Sequence, residues 1–141
     1  MKRAAVLLAS LLPLRLPAAE PLTVEIFTDA THPVTTPALT RAGVPFTYCE
    51  LDAPARLAAV LSQDLPADAA QAERLLQSRL ARLPAAPLTQ GWQGLARARQ
   101  YGLDRLPAVV CAGQGIVYGV SDGAVARAHC QRGWAQEERQ P

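Results

Sequence analysis

No two cysteines in this sequence are spaced as Cys-x-x-Cys, although three occur, Cys49, Cys111 and Cys130. That excludes a paired-thiol redox motif read along the chain, and no Cys/His group has zinc-ligand spacing. Lysine is almost missing: Lys2 is the only one, and arginine supplies the other basic side chains. Composition bias accounts for this, and arginine-rich partner contacts are the sharper alternative. A charge excess is also lacking. The net charge is +2 over 141 residues, and without Lys2, Arg3 and Arg15 the count falls to about −1. Nucleic-acid binding therefore has no electrostatic footprint here. No apolar run reaches the ~20 residues that a membrane-spanning helix needs. Internal repeats and low-complexity blocks are missing too.

The first twenty residues are laid out as a secretory signal. Met1-Lys2-Arg3 is a basic start, Ala4 to Leu14 is a short apolar stretch, and Pro17-Ala18-Ala19 closes it with small residues. Segment 1–19 is the expected signal peptide, with retention as an N-terminal anchor the alternative. Once the signal is cleaved, no stable membrane span remains. Export permits disulfides, and an odd cysteine count leaves one thiol unpaired within the chain or paired with another molecule.

From residue 22 to 132 the pattern predicts one domain. Leu22 to Thr28 alternates and is rich in β-branched residues, as expected of a central strand. After a loop from Asp29 to Pro33, Thr36 and Pro37 are placed as N-cap and first residue of a short helix ending at Gly43. Pro45 to Leu51 is a second strand, and a strand–helix–strand of this length implies a parallel pair with a right-handed crossover. Asp52 is the expected cap of a helix with Leu57, Val60 and Leu61 on one face. A further helix from about Ala69 to Leu83 offers Leu75, Leu76, Leu80 and Leu83 to the core. After a linker from Leu83 to Pro87, a helix opening at Thr89 or Gln90 turns Trp92, Leu95, Ala96 and Tyr101 inward, with Arg97 and Gln100 outward. Gly102 and Leu103 fit a glycine C-cap. Leu106 to Cys111 is a buried strand with Pro107 at its entrance, where a missing N–H is tolerated and a cis bond costs little. A turn at Gly113-Gln114-Gly115 leads to Ile116-Val117-Tyr118, and a helix follows from Asp122 to about Gln131. Residues 133–141 are expected to be a flexible tail. The predicted class is α/β, a mixed four-stranded sheet in the order β-α-β, helical insert, β-β-α, covered by helices.

That order, with a proline opening the third strand, resembles the thioredoxin fold. In that family the proline faces the N-terminus of the first helix, where the redox cysteines sit. The stretch Phe27-Thr28-Asp29-Ala30-Thr31 resembles the lead-in of exported disulfide isomerases. The two cysteine positions then fall on His32 and Thr35, so dithiol exchange of the usual kind is excluded there. A closer resemblance is to a family of small exported proteins of integrating conjugative elements, encoded beside type IV secretion genes. It is carried by Val24 to Val34, Glu50 to Arg56, Leu65 to Asp68 and Leu103 to Gly119. The resemblance implies a periplasmic role in conjugative DNA transfer, in assembling the mating pore; with both redox cysteines missing, the expected protein is non-enzymatic, uses no cofactor and acts through contacts with other conjugation proteins.

On this reading the candidate interaction groove comprises Asp29, Thr31, His32, Pro33, Thr35, Leu106 and Pro107. His32 stands beside a helix N-terminus, which disfavours an imidazolium. It is either a ligand-contact residue or a loop histidine satisfying turn backbone. Asp29 either orients His32, as a carboxylate orients a base, or caps the turn. His129 reads as a surface residue. Cys111 and Cys130 form a disulfide or remain buried thiols, and Cys49 lies beyond bridging reach of Cys111 across the central strand. Trp92 reads as core, and Trp134 as a loose cover or a partner anchor. The competing functions are a thiol-redox or disulfide-handling protein and a small-ligand binder using the proline groove, as glutathione-binding relatives do. Cys111 lies about 13 Å from Pro107 at strand rise, which weighs against the redox reading.

Overall fold

Strand β1 (Val24–Thr28) is the axis of the protein, and all five of its residues are buried. The computed structural model describes residues 23–137, without the side chains of residues 87, 88 and 137. Segment 1–19 and the end of the expected tail therefore lie outside the described residues. β1 pairs in parallel with β2 (Phe46–Glu50) and antiparallel with β3 (Ala108–Cys111), and β3 pairs antiparallel with β4 (Gly115–Tyr118). The sheet order is β2-β1-β3-β4. The helices are α1 (Pro37–Arg41), α2 (Ala53–Leu61), α3 (Ala69–Ala81), α4 (Ala85–Gln100) and α5 (Gly123–Glu137). The architecture is α/β, a mixed four-stranded sheet flanked by helices.

Alternation along β1 divides the core into two faces. Val24 and Ile26 join Val34, Leu39, Val109, Cys111, Ala126 and Cys130 on the face shared by α1 and α5. Phe27 joins Cys49, Ala98, Ala108 and Val110 on the face under α4, with the Tyr101 ring edge-on to Phe27 at 6.0 Å between centroids. Cys111 and Cys130 are joined in a disulfide that staples α5 to β3. Cys49 is free and buried on the opposite face. The Leu106–Pro107 peptide bond is cis.

Several expectations need correction. Thr36 and Asp52 occupy N-cap positions, but neither side chain makes a capping bond. The capping aspartate is Asp68, whose carboxylate accepts from Gln71 N–H at the start of α3. The linker expected from Leu83 to Pro87 is already helical from Ala85, because a proline in a first turn costs no intrahelical hydrogen bond. Trp92 is not core: it is 64% exposed. Ala96 is also exposed, and Arg97, expected outward, bends back to the sheet. Neither α2 nor α3 contains a fully buried residue, so Leu75, Leu76 and Leu83 are only half-buried and Leu80 is exposed. Within the insert α3 packs on α2 and α2 on α4, and α4 packs on β2 of the sheet. α5 runs to Glu137, through the first part of the expected tail, and Trp134 is half-buried over Gly115.

Candidate functional site

The turn leaving the C-terminal end of β1 is built on one carboxylate. Asp29 Oδ1 accepts from Thr31 N–H at 2.9 Å, the Thr31 hydroxyl at 2.7 Å and His32 N–H at 2.8 Å. The His32 ring nitrogen Nδ1 lies 2.8 Å from the same oxygen. Short polar side chains that reach the backbone two or three residues on are what make such turns. The Thr31 hydroxyl is the largest of the effects that hold the Asp29 carboxyl at about 2. Partial burial opposes it, while the His32 ring and both backbone N–H groups add to it. From below, the Thr28 hydroxyl donates to the His32 carbonyl.

With Nδ1 committed to Asp29, Nε2 is the ring nitrogen left for a ligand. The His32 side chain is 51% exposed. His32 is not at a helix N-terminus, because α1 begins only at Pro37. Asp29 rather than a helix dipole therefore sets its orientation.

Register brings Pro107 to this end of the sheet. Phe27 pairs with Ala108, so Thr28 and Pro107 are the next positions on the adjoining strands. The Pro107 carbonyl accepts from Gly119 N–H at 2.9 Å. Thr35 is drawn elsewhere: its N–H donates to the Ser121 carbonyl at 2.8 Å, and its carbonyl accepts from Gly123 N–H. Asp29, Thr31 and His32 are thus one bonded unit, Pro107 adjoins Thr28 at the strand end that carries it, and Leu106 packs on the Phe27 face. Thr35 anchors the loop to the start of α5. Pro33 is exposed between the two. Beside them, Ala30 N–H donates to Asp52, and Arg56 pairs with both Asp52 and Glu50.

A family described as a protein of unknown function (DUF1525) matches residues 22–137. The chain belongs to that family. No curated protein and no solved structure matches it. The DUF1525 match therefore spans both sheet faces, the Asp29–His32 turn and the helical insert.

A second polar place in this DUF1525 chain was not anticipated from the sequence. A cleft of about 420 Å³ runs between β2 and α4, lined by Thr47, Cys49, Gln90, Gln93, Gly94 and Arg97 among others. Behind it, Glu25 is buried, pairs with Arg97 at 3.0 Å and accepts from the Tyr101 hydroxyl at 2.8 Å. That hydrogen bond is the main cause raising the Tyr101 pKa. Burial, with Glu25 adding, raises the Cys49 thiol, which disfavours the thiolate needed for exchange. The signals were present: a lone acid in an otherwise apolar strand, and Gln90, Gln93, Gly94 and Arg97 at the spacing of one helix face. Among the described residues no group of His, Cys, Asp and Glu is arranged to hold a metal ion. None of the helices there is long and apolar enough to cross a membrane.

Proposed function

We propose that this chain is a thioredoxin-like binding protein of the periplasm that holds a small peptide-like ligand at the C-terminal end of β1. The carrying observation is the Asp29–His32 unit, which directs one ring nitrogen at Asp29 and leaves the other for a hydrogen-bond donor at the end of β1, where the register sets Pro107 next to Thr28. Crevices at the carboxyl ends of parallel strands are where open α/β sheets take ligands. The sheet order β2-β1-β3-β4 and a proline at the entrance of β3 support the thioredoxin-like reading. Binding is favoured over thiol chemistry because Cys49 is buried with a raised pKa, and the other two sulfurs are bonded to each other beneath α5.

The test uses S-methylglutathione, a tripeptide without a thiol. Calorimetry on the unaltered chain should show saturable binding that weakens about tenfold in His32→Ala, the loss of one hydrogen bond. Equal binding by both chains would remove His32 from the site, and reduction of insulin by the unaltered chain would replace binding with redox chemistry.

The biological setting we propose is conjugative transfer. Three of the four stretches that resemble the conjugative-element family, Val24 to Val34, Glu50 to Arg56 and Leu103 to Gly119, meet at this end of the sheet through the Ala30–Asp52 hydrogen bond and the β1–β3 register. Deleting the gene should lower transfer of its element at least about tenfold, and restoring it should recover transfer. Unchanged transfer would remove that setting and leave the ligand test standing.

A further inference from the structure

β2 is an outer strand, and among the described residues no strand pairs with its free side. Leu51 N–H donates to the Thr28 carbonyl at 2.8 Å. Backbone groups alternate along a strand, so Cys49 and Thr47 also face β1, and Phe46, Tyr48 and Glu50 turn their N–H and C=O groups outward. Natural edges are blunted by lysine, internal proline, a bulge or a covering element. β2 contains neither lysine nor proline, and its register with β1 runs unbroken through all five residues. The other edge differs: β4 is half-buried along its length and Trp134 sits over Gly115.

The open edge is bordered on the α4 face by three adjoining clefts. The largest shares Phe46, Thr47 and Arg97 with a 210 Å³ cleft at the Pro45 end. It shares Tyr48, Cys49 and Gln90 with a 190 Å³ cleft that reaches Glu50 and Ala53. Together they follow the whole strand, about 16 Å at strand rise. α4 lies tight on its neighbours through glycine: a Cβ on Gly94 would stand 3.1 Å from Cys49 Cβ. Gln90, Gln93 and Arg97 stand along the same side of the helix; Arg97 lines the largest cleft with one nitrogen paired to Glu25, which lines the Pro45-end cleft, and Glu50 in the third cleft is paired with Arg56.

We propose that β2 takes an extended segment of another polypeptide as an added strand, with alternate side chains entering the β2–α4 cleft and an acidic one meeting Arg97. Main-chain bonds to Phe46, Tyr48 and Glu50 supply affinity, and the cleft supplies selectivity. A second copy of this chain is the poorer occupant. Its β2 would arrive beneath its own α4, cleft would meet cleft, and the combined space would stay unfilled in an interface that needs close packing. An uncovered strand brings side chains that fill it, and the half-exposed Arg97 guanidinium, one nitrogen of which is held by Glu25, keeps donors for an acid among them.

Panning a displayed library of random decapeptides against the purified chain tests this, followed by synthesis of the enriched peptide. Enriched peptides should carry an Asp or Glu at a fixed place in an alternating β-branched pattern. The bound peptide should slow amide exchange at Phe46, Tyr48 and Glu50 at least about tenfold. Tyr48→Pro should abolish binding while leaving the β1 ladder intact, because the lost N–H points outward. Arg97→Gln should weaken the acidic peptide about tenfold and its amide analogue little. If Tyr48→Pro does not fold, exchange on the unaltered chain decides the matter. No enrichment over a control protein, enriched peptides that leave those three amides unchanged, or a dimer of the unaltered chain joined through β2 would each overturn the proposal.

Discussion

Asp29 does more in the structure than a turn aspartate needs to do. One oxygen serves four donors from Thr31 and His32, and the carboxyl stays ionised down to about pH 2. A carboxyl with a lowered folded pKa contributes stability that is complete above its unfolded value of about 3.9 and is lost as pH falls through the folded one. The turn should therefore hold at neutral pH and loosen between about pH 4 and 2. Because the Thr31 hydroxyl is the largest cause, Thr31→Ala should bring the Asp29 titration, followed by carboxyl carbon NMR, back toward the usual carboxylate range. An unchanged midpoint would mean that the turn backbone alone sets it. Of this unit the sequence made Asp29, Thr31 and His32 legible as neighbours. It left open whether Asp29 orients His32 or only caps the turn, and the structure has it do both, since that depends on how the loop closes over Thr28.

At the scale of elements, strands were more legible than helices. β3 declares itself by a short apolar run behind a proline, because a buried strand needs apolar residues on both faces, while β1 shows by its alternation and β-branched residues and β4 by the glycine turn before it. The helical insert misled for a physical reason. Leu75, Leu76 and Leu80 have the spacing of a core face, and Trp92 is a large apolar residue, but periodicity reports which side of a helix is apolar and not whether anything covers it. Here α3 packs chiefly on α2, and Trp92 is left exposed on α4. α5 extends past its expected end because Trp134 packs over Gly115, a contact between residues nineteen positions apart that no local pattern carries. The staple between β3 and α5 makes a prediction at this scale. Closing a loop over a separation of 19 residues restricts the unfolded chain, so Cys130→Ala should cost about 3 kcal/mol in denaturant unfolding. A loss under about 1 kcal/mol would mean that Ala126 and Trp134 dock α5 without it.

For the molecule as a whole, the same sheet presents two chemically different places. At the C-terminal end of β1 the Asp29–His32 turn, Leu106 and Pro107 form the proposed ligand site, and along β2 the edge and the α4 cleft form the proposed strand-docking site. Mixed-sheet architecture was legible from the order of strands and helices, because a short βαβ unit dictates a parallel pair and a two-residue-scale turn dictates an antiparallel one. The edge site was not legible, since which strand lies outermost is a property of the assembled sheet. The measurement that bears most directly on the account is a titration of the isotope-labelled chain with S-methylglutathione, followed by amide and imidazole NMR shifts. The account predicts that shifts gather at Thr31, His32 and Leu106 and vanish in His32→Ala. Shifts confined to β2 and α4, or none at saturating tripeptide, would contradict it.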